Sequence, residues 1–354
     1  MTKSKRHFPP PPPLPSTPPG LWQRVPPAIF PPIMGLLGLG LAWRTLGAEI
    51  PVIAGLAEAF LGGAVLLFAF AAVALASKPL RRPGVHAEEL RVLPGRAGVS
   101  AGVLCVMLTA AALVPYAPGL AGGLVWVGVA LLAGLGVMIA RNFLKGPEEA
   151  RVVTPFFHLV FVGYILAPLA LIPLGQVGVA RAIFWITLVI ALLIWAESLR
   201  QLATRVPPAP LRPLLAIHLA PVSLFATVAA LLGWGELALG FAVAGLALLA
   251  VLVMAGRWLL AAGFTPFWGA LTFPLAALAS AVLRALPDPA GAWLGAALVL
   301  AATGLNMPVA VRILRDWAQG GLAAKTNAAA ISVPRDGVTG GSRNPQDGAA
   351  GRRG

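Results

Sequence analysis

The sequence predicts an all-α polytopic membrane protein: ten transmembrane helices arranged as five helical hairpins. Proline-kinked odd helices form an inner ring around a central pore, and even helices form an outer ring. Three observations carry this expectation. Apolar residues come in repeated runs close to the ~20 residues that a helix needs to cross the hydrocarbon layer. Only 11% of the 354 residues are charged and 58% are hydrophobic, against roughly 25% charged in a soluble domain. Prolines fall mainly inside alternate runs. A soluble globular enzyme and an acidic or disordered scaffold are excluded on the first two counts.

The ten apolar segments fall at about Pro27–Gly47, Pro51–Ser77, Gly98–Ala117, Leu120–Phe143, Thr154–Leu174, Val179–Leu199, Leu211–Leu232, Leu237–Ala261, Thr265–Ala285 and Ala290–Leu314. We number them one to ten. Strands of a membrane barrel would alternate polar and apolar residues, so the runs read as helices. With the N-terminus inside, 23 of the 26 Lys and Arg residues fall in cytoplasmic stretches, leaving Arg44, Arg181 and Arg284 on the far side. This positive-inside asymmetry places both termini in the cytoplasm of an inner, plasma-type membrane. The net charge of +14 is therefore a topology signal, and the expected partners are lipid bilayer and small ions rather than nucleic acid.

The flanks differ in composition. Residues 1–25 begin with Lys3, Lys5 and Arg6 and continue through the run Pro9 to Pro13, which favours polyproline II and cannot pack a core. Residues 318–354 are rich in Gly, Ala, Asn and Arg. Both read as disordered cytoplasmic tails around a transmembrane domain at 26–317.

Proline supports the two rings. Odd segments carry Pro31 and Pro32, Pro115, Pro168 and Pro173, Pro221 and Pro274, whereas even segments have almost none in their interiors. An interior proline removes a backbone donor and collides with the preceding turn. In a bilayer such helices belong beside other helices or water, while straight ones can face lipid.

Ionisable groups at membrane depth are few: Glu58, Glu197, His158 and His218. Each is a functional candidate by default because a charge there is costly. Glu58, His158 and His218 are the candidate titrating groups, while Glu197 with Arg200 reads as a helix-surface pair. No chain of intramembrane carboxylates is present. An aqueous path would be lined by small residues and by the hydroxyls of Thr109, Ser223, Thr227, Thr272 and Ser280, which offers dipoles without an acidic ring and favours an anionic permeant.

Catalytic signals are weak. Gly98-Val99-Ser100-Ala101-Gly102 matches the GxSxG pattern, but it opens a membrane helix instead of the strand-to-helix turn that a hydrolase needs. No lysine follows a glycine, so there is no Walker A sequence. No HExxH or CxxC occurs, and Cys105 is the single cysteine. The sequence offers no metal site, no cofactor site and no enzyme activity.

Three stretches resemble the tellurite-resistance/dicarboxylate transporter family, which includes bacterial TehA and the plant slow-type anion channels. Pro27-Ala28-Ile29-Phe30 through Gly35 to Trp43-Arg44 is similar to its opening helix, and Arg212-Pro213 with His218-Leu219-Ala220-Pro221 to its seventh. Phe267-Trp268-Gly269-Ala270-Leu271-Thr272-Phe273-Pro274 resembles the core of its ninth. The resemblance implies ten helices around a pore occluded by a phenylalanine, in trimers with one pore per subunit. It implies passage of small inorganic anions or organic acids, channel-like, with proton-coupled C4-dicarboxylate or tellurite-related efflux as the alternative. On this chain the gate would be Phe273 and the gate-helix kink Pro274. Phe30, Gly35, Thr109, Pro168, Pro221, Ser223, Thr227 and Thr272 are the candidate pore-lining residues. Pro31-Pro32 departs from the small residues usual after the first aromatic, and His158 stands where relatives often have proline.

Overall fold

A computed structural model describes Trp22, residues 24–145 and residues 152–330. The proline run and the last 24 residues lie outside the described part. Within it, nine helices are long and apolar enough to cross a membrane. Seven of the nine overlap their expected segments closely, while the eighth, Gly235–Met254, stops seven residues before the expected Ala261. The third, Leu93–Leu113, begins five residues before the expected Gly98. Several helices run on beyond the apolar windows: the second to Arg81, the fourth to Lys145, the sixth to Thr204 and the tenth to Ala318. Long basic side chains can lie along a helix end and keep their charge at the membrane interface, so a helix need not stop where its apolar run does.

Segment five differs most. In place of one helix, residues His158–Val162 form a π-helical turn, Gly163–Leu166 a 3-10 turn and Pro168–Leu171 a single α-turn. Pro168 cannot donate to Tyr164 and its ring crowds that turn. Segment seven is also divided: Ala209–His218 is 3-10 and Leu219–Leu231 is α-helical. Pro221 then falls in the first turn of the α-helix, where a missing N–H costs nothing. The same reason removes the expected effect of Pro31-Pro32, because the first helix starts at Phe30 and both lie in its first turn.

The two rings are visible in burial. In their most apolar windows the first, third, seventh and ninth helices are 56–83% buried, and the even helices only 17–39%. The even helices expose large apolar side chains outward, among them Leu66, Leu193 and Trp293, where the surrounding medium must be apolar.

Both ends of the described chain lie on one side. Trp22 packs edge-on against Phe70, which packs in turn against Trp317. Buried Lys78 on the second helix donates to the Val25 carbonyl at 2.9 Å and pairs with buried Glu89, whose carboxylate also accepts from the Ala329 N–H. Val25 is buried, and after Ala318 a short helix, Gly321–Lys325, buries Leu322. These residues cap the Lys78–Glu89 pair, a role that composition does not reveal.

Candidate functional site

Four odd helices each present one stripe of residues, spaced three or four apart, along their whole length. On the first it is Ala28, Pro31, Met34, Gly38, Leu41 and Thr45; on the third, Ala97, Ala101, Leu104, Leu108, Ala111 and Pro115. The seventh contributes Leu214, Ile217, Pro221, Leu224, Thr227 and Leu231, and the ninth Pro266, Ala270, Phe273, Ala277, Ser280 and Arg284. This spacing puts each set on a single helix face. The broken fifth segment adds His158, Leu159, Val162, Gly163, Ile165 and Leu166, then Leu169 and Pro173.

The stripes enclose two chambers in series. The near chamber, on the side of the chain ends, has a volume of about 70 Å³ and an almost wholly apolar wall. The far chamber has about 240 Å³ and carries Arg44, Thr45, Thr227, Ser280 and Arg284. Every lining residue of both belongs to an odd segment. Only Leu224 and Phe273 border both chambers, so these two side chains form the septum between them. One edge of the Phe273 ring lies against the first helix at Gly38. A Cβ at Gly38 would stand 2.7 Å and 2.9 Å from two of its ring carbons, so only glycine leaves room for the ring in this position. One residue on, Pro274 deprives the Ala270 carbonyl of its helical donor, and both residues line the near chamber.

Charge concentrates on the far chamber. Arg44 donates from its guanidinium to both oxygens of Glu58, at 2.5 and 2.6 Å, and to the Ala112 carbonyl at 3.0 Å. Tyr116 donates its hydroxyl to Glu58 at 2.8 Å, and the neighbouring carboxylate holds the Tyr116 phenol above its ordinary pKa. Arg284 donates to the Thr45 hydroxyl at 3.0 Å and has no carboxylate within ion-pair distance among the described residues. The far chamber thus carries one cation that is neutralised locally and one that is not.

The candidate residues are distributed unevenly over this geometry. Phe273, Pro274, Pro221, Thr227 and His158 border the chambers. Phe30 faces away from them; its ring packs edge-on against Phe68 of the second helix. Gly35 and Thr272 meet each other where the first and ninth helices cross, and a Cβ at Gly35 would overlap the Thr272 hydroxyl. Thr272 donates to the Gly269 carbonyl, Ser223 to Leu219 and Thr227 to Ser223, the usual way a membrane helix satisfies a hydroxyl internally. Thr109 and Pro168 are buried but border neither chamber. Glu58 is held in its ion pair, and His158 Nε2 lies 2.9 Å from His218 Nδ1. In the GxSxG stretch, Gly98 lets the third helix touch the Pro27 backbone, and Ser100 bonds its own helix at the Arg96 carbonyl. Both motif positions are thereby explained by helix packing.

Sequence reading missed Gly38, Leu224, Arg44 and Arg284. For Arg284 the signal was present in the three-and-four spacing through Phe273, whereas Gly38, Leu224 and Arg44 lie on other helices. A family profile described as voltage-dependent anion channel (SLAC1) matches residues 24–314, which contain both chambers and all ten segments. The chain belongs to the voltage-dependent anion channel family. No curated protein matches it individually. The family is the one that also holds the TehA-like proteins, so the resemblance drawn from three helices extends over the whole membrane domain. It is a family of channels and transporters, and it makes this chain a multi-pass membrane protein for small anions.

Proposed function

We propose that the two chambers are successive parts of one anion-conducting pathway and that Phe273 is its gate. The observation carrying this reading is that Phe273 borders both chambers from the mouth of neither. A bulky apolar ring at a narrow point blocks ions by sterics and by dewetting, and Pro274, by removing one helical hydrogen bond, makes the helix that carries the ring easier to bend. The far chamber supplies a cationic entrance through Arg284, the cation without a carboxylate partner among the described residues, which raises the local anion concentration. Small inorganic anions and organic acids fit such a path, which has one unneutralised cation and otherwise only dipoles to bind them.

Several further features belong to the same proposal. The broken fifth segment is the tenth crossing, tolerated at membrane depth because it lines the pathway. Both termini are cytoplasmic, the membrane is the inner or plasma membrane, and the apolar outer faces of the even helices meet lipid and two further subunits of a homotrimer. Residues 1–25 and 318–354 flank the membrane domain on the cytoplasmic side, the inner part of each being packed onto it. The test is anion flux into liposomes after a concentration jump with chloride, nitrate, malate and sulfite. The proposal requires Phe273→Ala to raise flux of at least one of them.

One observation favours a second reading. The bonded His158–His218 pair stands at the near chamber and could carry a proton with an organic acid. Proton-coupled C4-dicarboxylate or tellurite-related efflux would then replace passive conduction. That carrier requires flux to collapse when the pH gradient is abolished, whereas the channel reading requires flux to follow the anion gradient alone.

A further inference from the structure

A third cavity lies off the axial path. It has a volume of about 230 Å³ on the side of the chain ends, between the fifth, sixth and seventh segments and the start of the third helix at Leu93, and unlike the chambers it takes part of its wall from an even helix, at Ser198, Gln201 and Leu202, with Arg205 just past that helix's end. Eleven buried side-chain polar atoms have no hydrogen-bond partner among the described residues, and three of them sit on this wall: Thr154 Oγ1, Ser198 Oγ and His218 Nε2. Ser198 and His218 are only 7% and 8% exposed. Buried polar atoms are nearly always paired. Ser198 also lacks the bond to its own helix that Thr187, Ser223 and Thr227 all make, so its hydroxyl is free to serve something in the cavity.

The chemistry of the wall is one-sided. Among the described residues of the wall Arg205 is the only charged one, and none carries a carboxylate. Glu197, the nearest acid in sequence, is occupied by Arg200 and Gln201. The rest is mainly apolar, including Leu93, Leu211 and Leu215. Two hydroxyls, an imidazole N–H and a guanidinium donate to an acceptor, while the hydrocarbon wall takes an apolar body. The volume falls below the roughly 300–1,000 Å³ of sites for drug-sized ligands, so the occupant is small.

We propose that this cavity is a binding site for a small organic monocarboxylate. Its carboxylate accepts from Thr154 Oγ1, Ser198 Oγ and His218 Nε2, with Arg205 at the mouth, and its hydrocarbon chain lies against Leu211 and Leu215. Occupancy has a consequence for the pathway. A His218 ring that donates from Nε2 is left with Nδ1 as an acceptor, so His158 must donate from Nε2 in the 2.9 Å bond between them. His158 borders the near chamber. The bound acid therefore fixes the tautomer of a residue on the pore wall.

Isothermal titration of hexanoate into the full chain in detergent micelles, near neutral pH, tests the site. The expected result is saturable binding that excess chloride does not compete away and that 1-hexanol, the uncharged counterpart, does not reproduce. Ser198→Ala weakens it by about tenfold, since it removes a hydrogen bond to a charged group. Arg205→Gln, at an exposed position where folding is unaffected, weakens it several-fold, by less at high salt. Absence of saturable heat overturns the proposal. So does 1-hexanol binding as tightly as hexanoate, which would mark a slot for lipid chains. Competition by chloride would place the acid in the pore, and an Arg205→Gln affinity equal to the parent's would remove the anionic recognition; either result refutes the site.

Discussion

Replacing Phe273 by alanine removes the ring that separates a chamber of about 70 Å³ from one of about 240 Å³, leaving Leu224 alone in the septum. Phe→Ala in a close-packed core costs roughly 3–5 kcal/mol of stability. Here the ring already has open space on both sides, so the loss should lie at or below the low end of that range and the variant should fold. In liposome flux with chloride or nitrate, we expect a rise of at least tenfold, equivalent to lowering the barrier by about 1.4 kcal/mol. The opposite perturbation is available at Gly38. A methyl there would stand 2.7 Å from the ring, and ordinary carbon contact is about 3.5–4.0 Å, so the ring must retreat by on the order of 1 Å toward Leu224. Gly38→Ala should therefore tighten the septum and lower flux several-fold. In Phe273→Ala protein the same substitution has no ring to push, and flux should match that of the single Phe273→Ala variant within about twofold. A Phe273→Ala protein that folds and conducts like the parent would refute the gate. A Gly38→Ala effect that persists without the ring would refute the proposed coupling.

Three further outcomes follow from the charges. Arg284→Gln removes the unneutralised cation of the far chamber; at close range one charge in water-like surroundings is worth about 1 kcal/mol, so conductance at low salt should fall about fivefold and recover toward the parent value as salt screens the site. Glu58→Gln leaves Arg44 uncompensated and should raise low-salt anion conductance by a similar factor, measured in the same bilayer recordings. Lys78→Met strands buried Glu89 and should cost about 3–5 kcal/mol in stability, read as a large drop in Tm in detergent, whereas Lys78→Met combined with Glu89→Gln should regain most of it.

Proline made the fold legible. An interior proline is a backbone event, readable without knowing its neighbours, so Pro168, Pro221 and Pro274 separated inner from outer helices before any packing was known. Their precise consequences were not legible. The π-helical turn at His158 and the long 3-10 run to His218 depend on what the neighbouring helices leave unfilled. The pore face was half legible. Phe273 and Thr227 sit on the stripes, but hydroxyl chemistry also selected Thr272 and Ser223, which bond to their own helices and face neighbours. Polarity identifies a residue that needs a partner without saying which face the partner is on. Phe30 shows the same failure for aromatics, since its ring serves the contact with Phe68.

Arg44 and Arg284 were legible as topology and missed as chemistry. Both were counted among the few basic residues expected on the far side, yet their place on the chamber wall depends on helix phase. The stripe that runs from Phe273 through Ala277 and Ser280 to Arg284 supplies that phase for Arg284 alone. The His158–His218 bond joins residues 60 positions apart and could not be read from either neighbourhood.

In the proposed channel one water-filled path runs along the odd helices and is closed at Phe273. Cysteine accessibility tests it most directly, in protein whose single native cysteine, buried Cys105, is replaced by alanine. With a charged, membrane-impermeant thiol reagent, Thr227→Cys in the far chamber should label from the far side only, and Ala101→Cys in the near chamber from the side of the chain ends only. Adding Phe273→Ala should make each label from both sides. Labelling of both positions from either side while Phe273 is present, or of neither once it is removed, would contradict the claim.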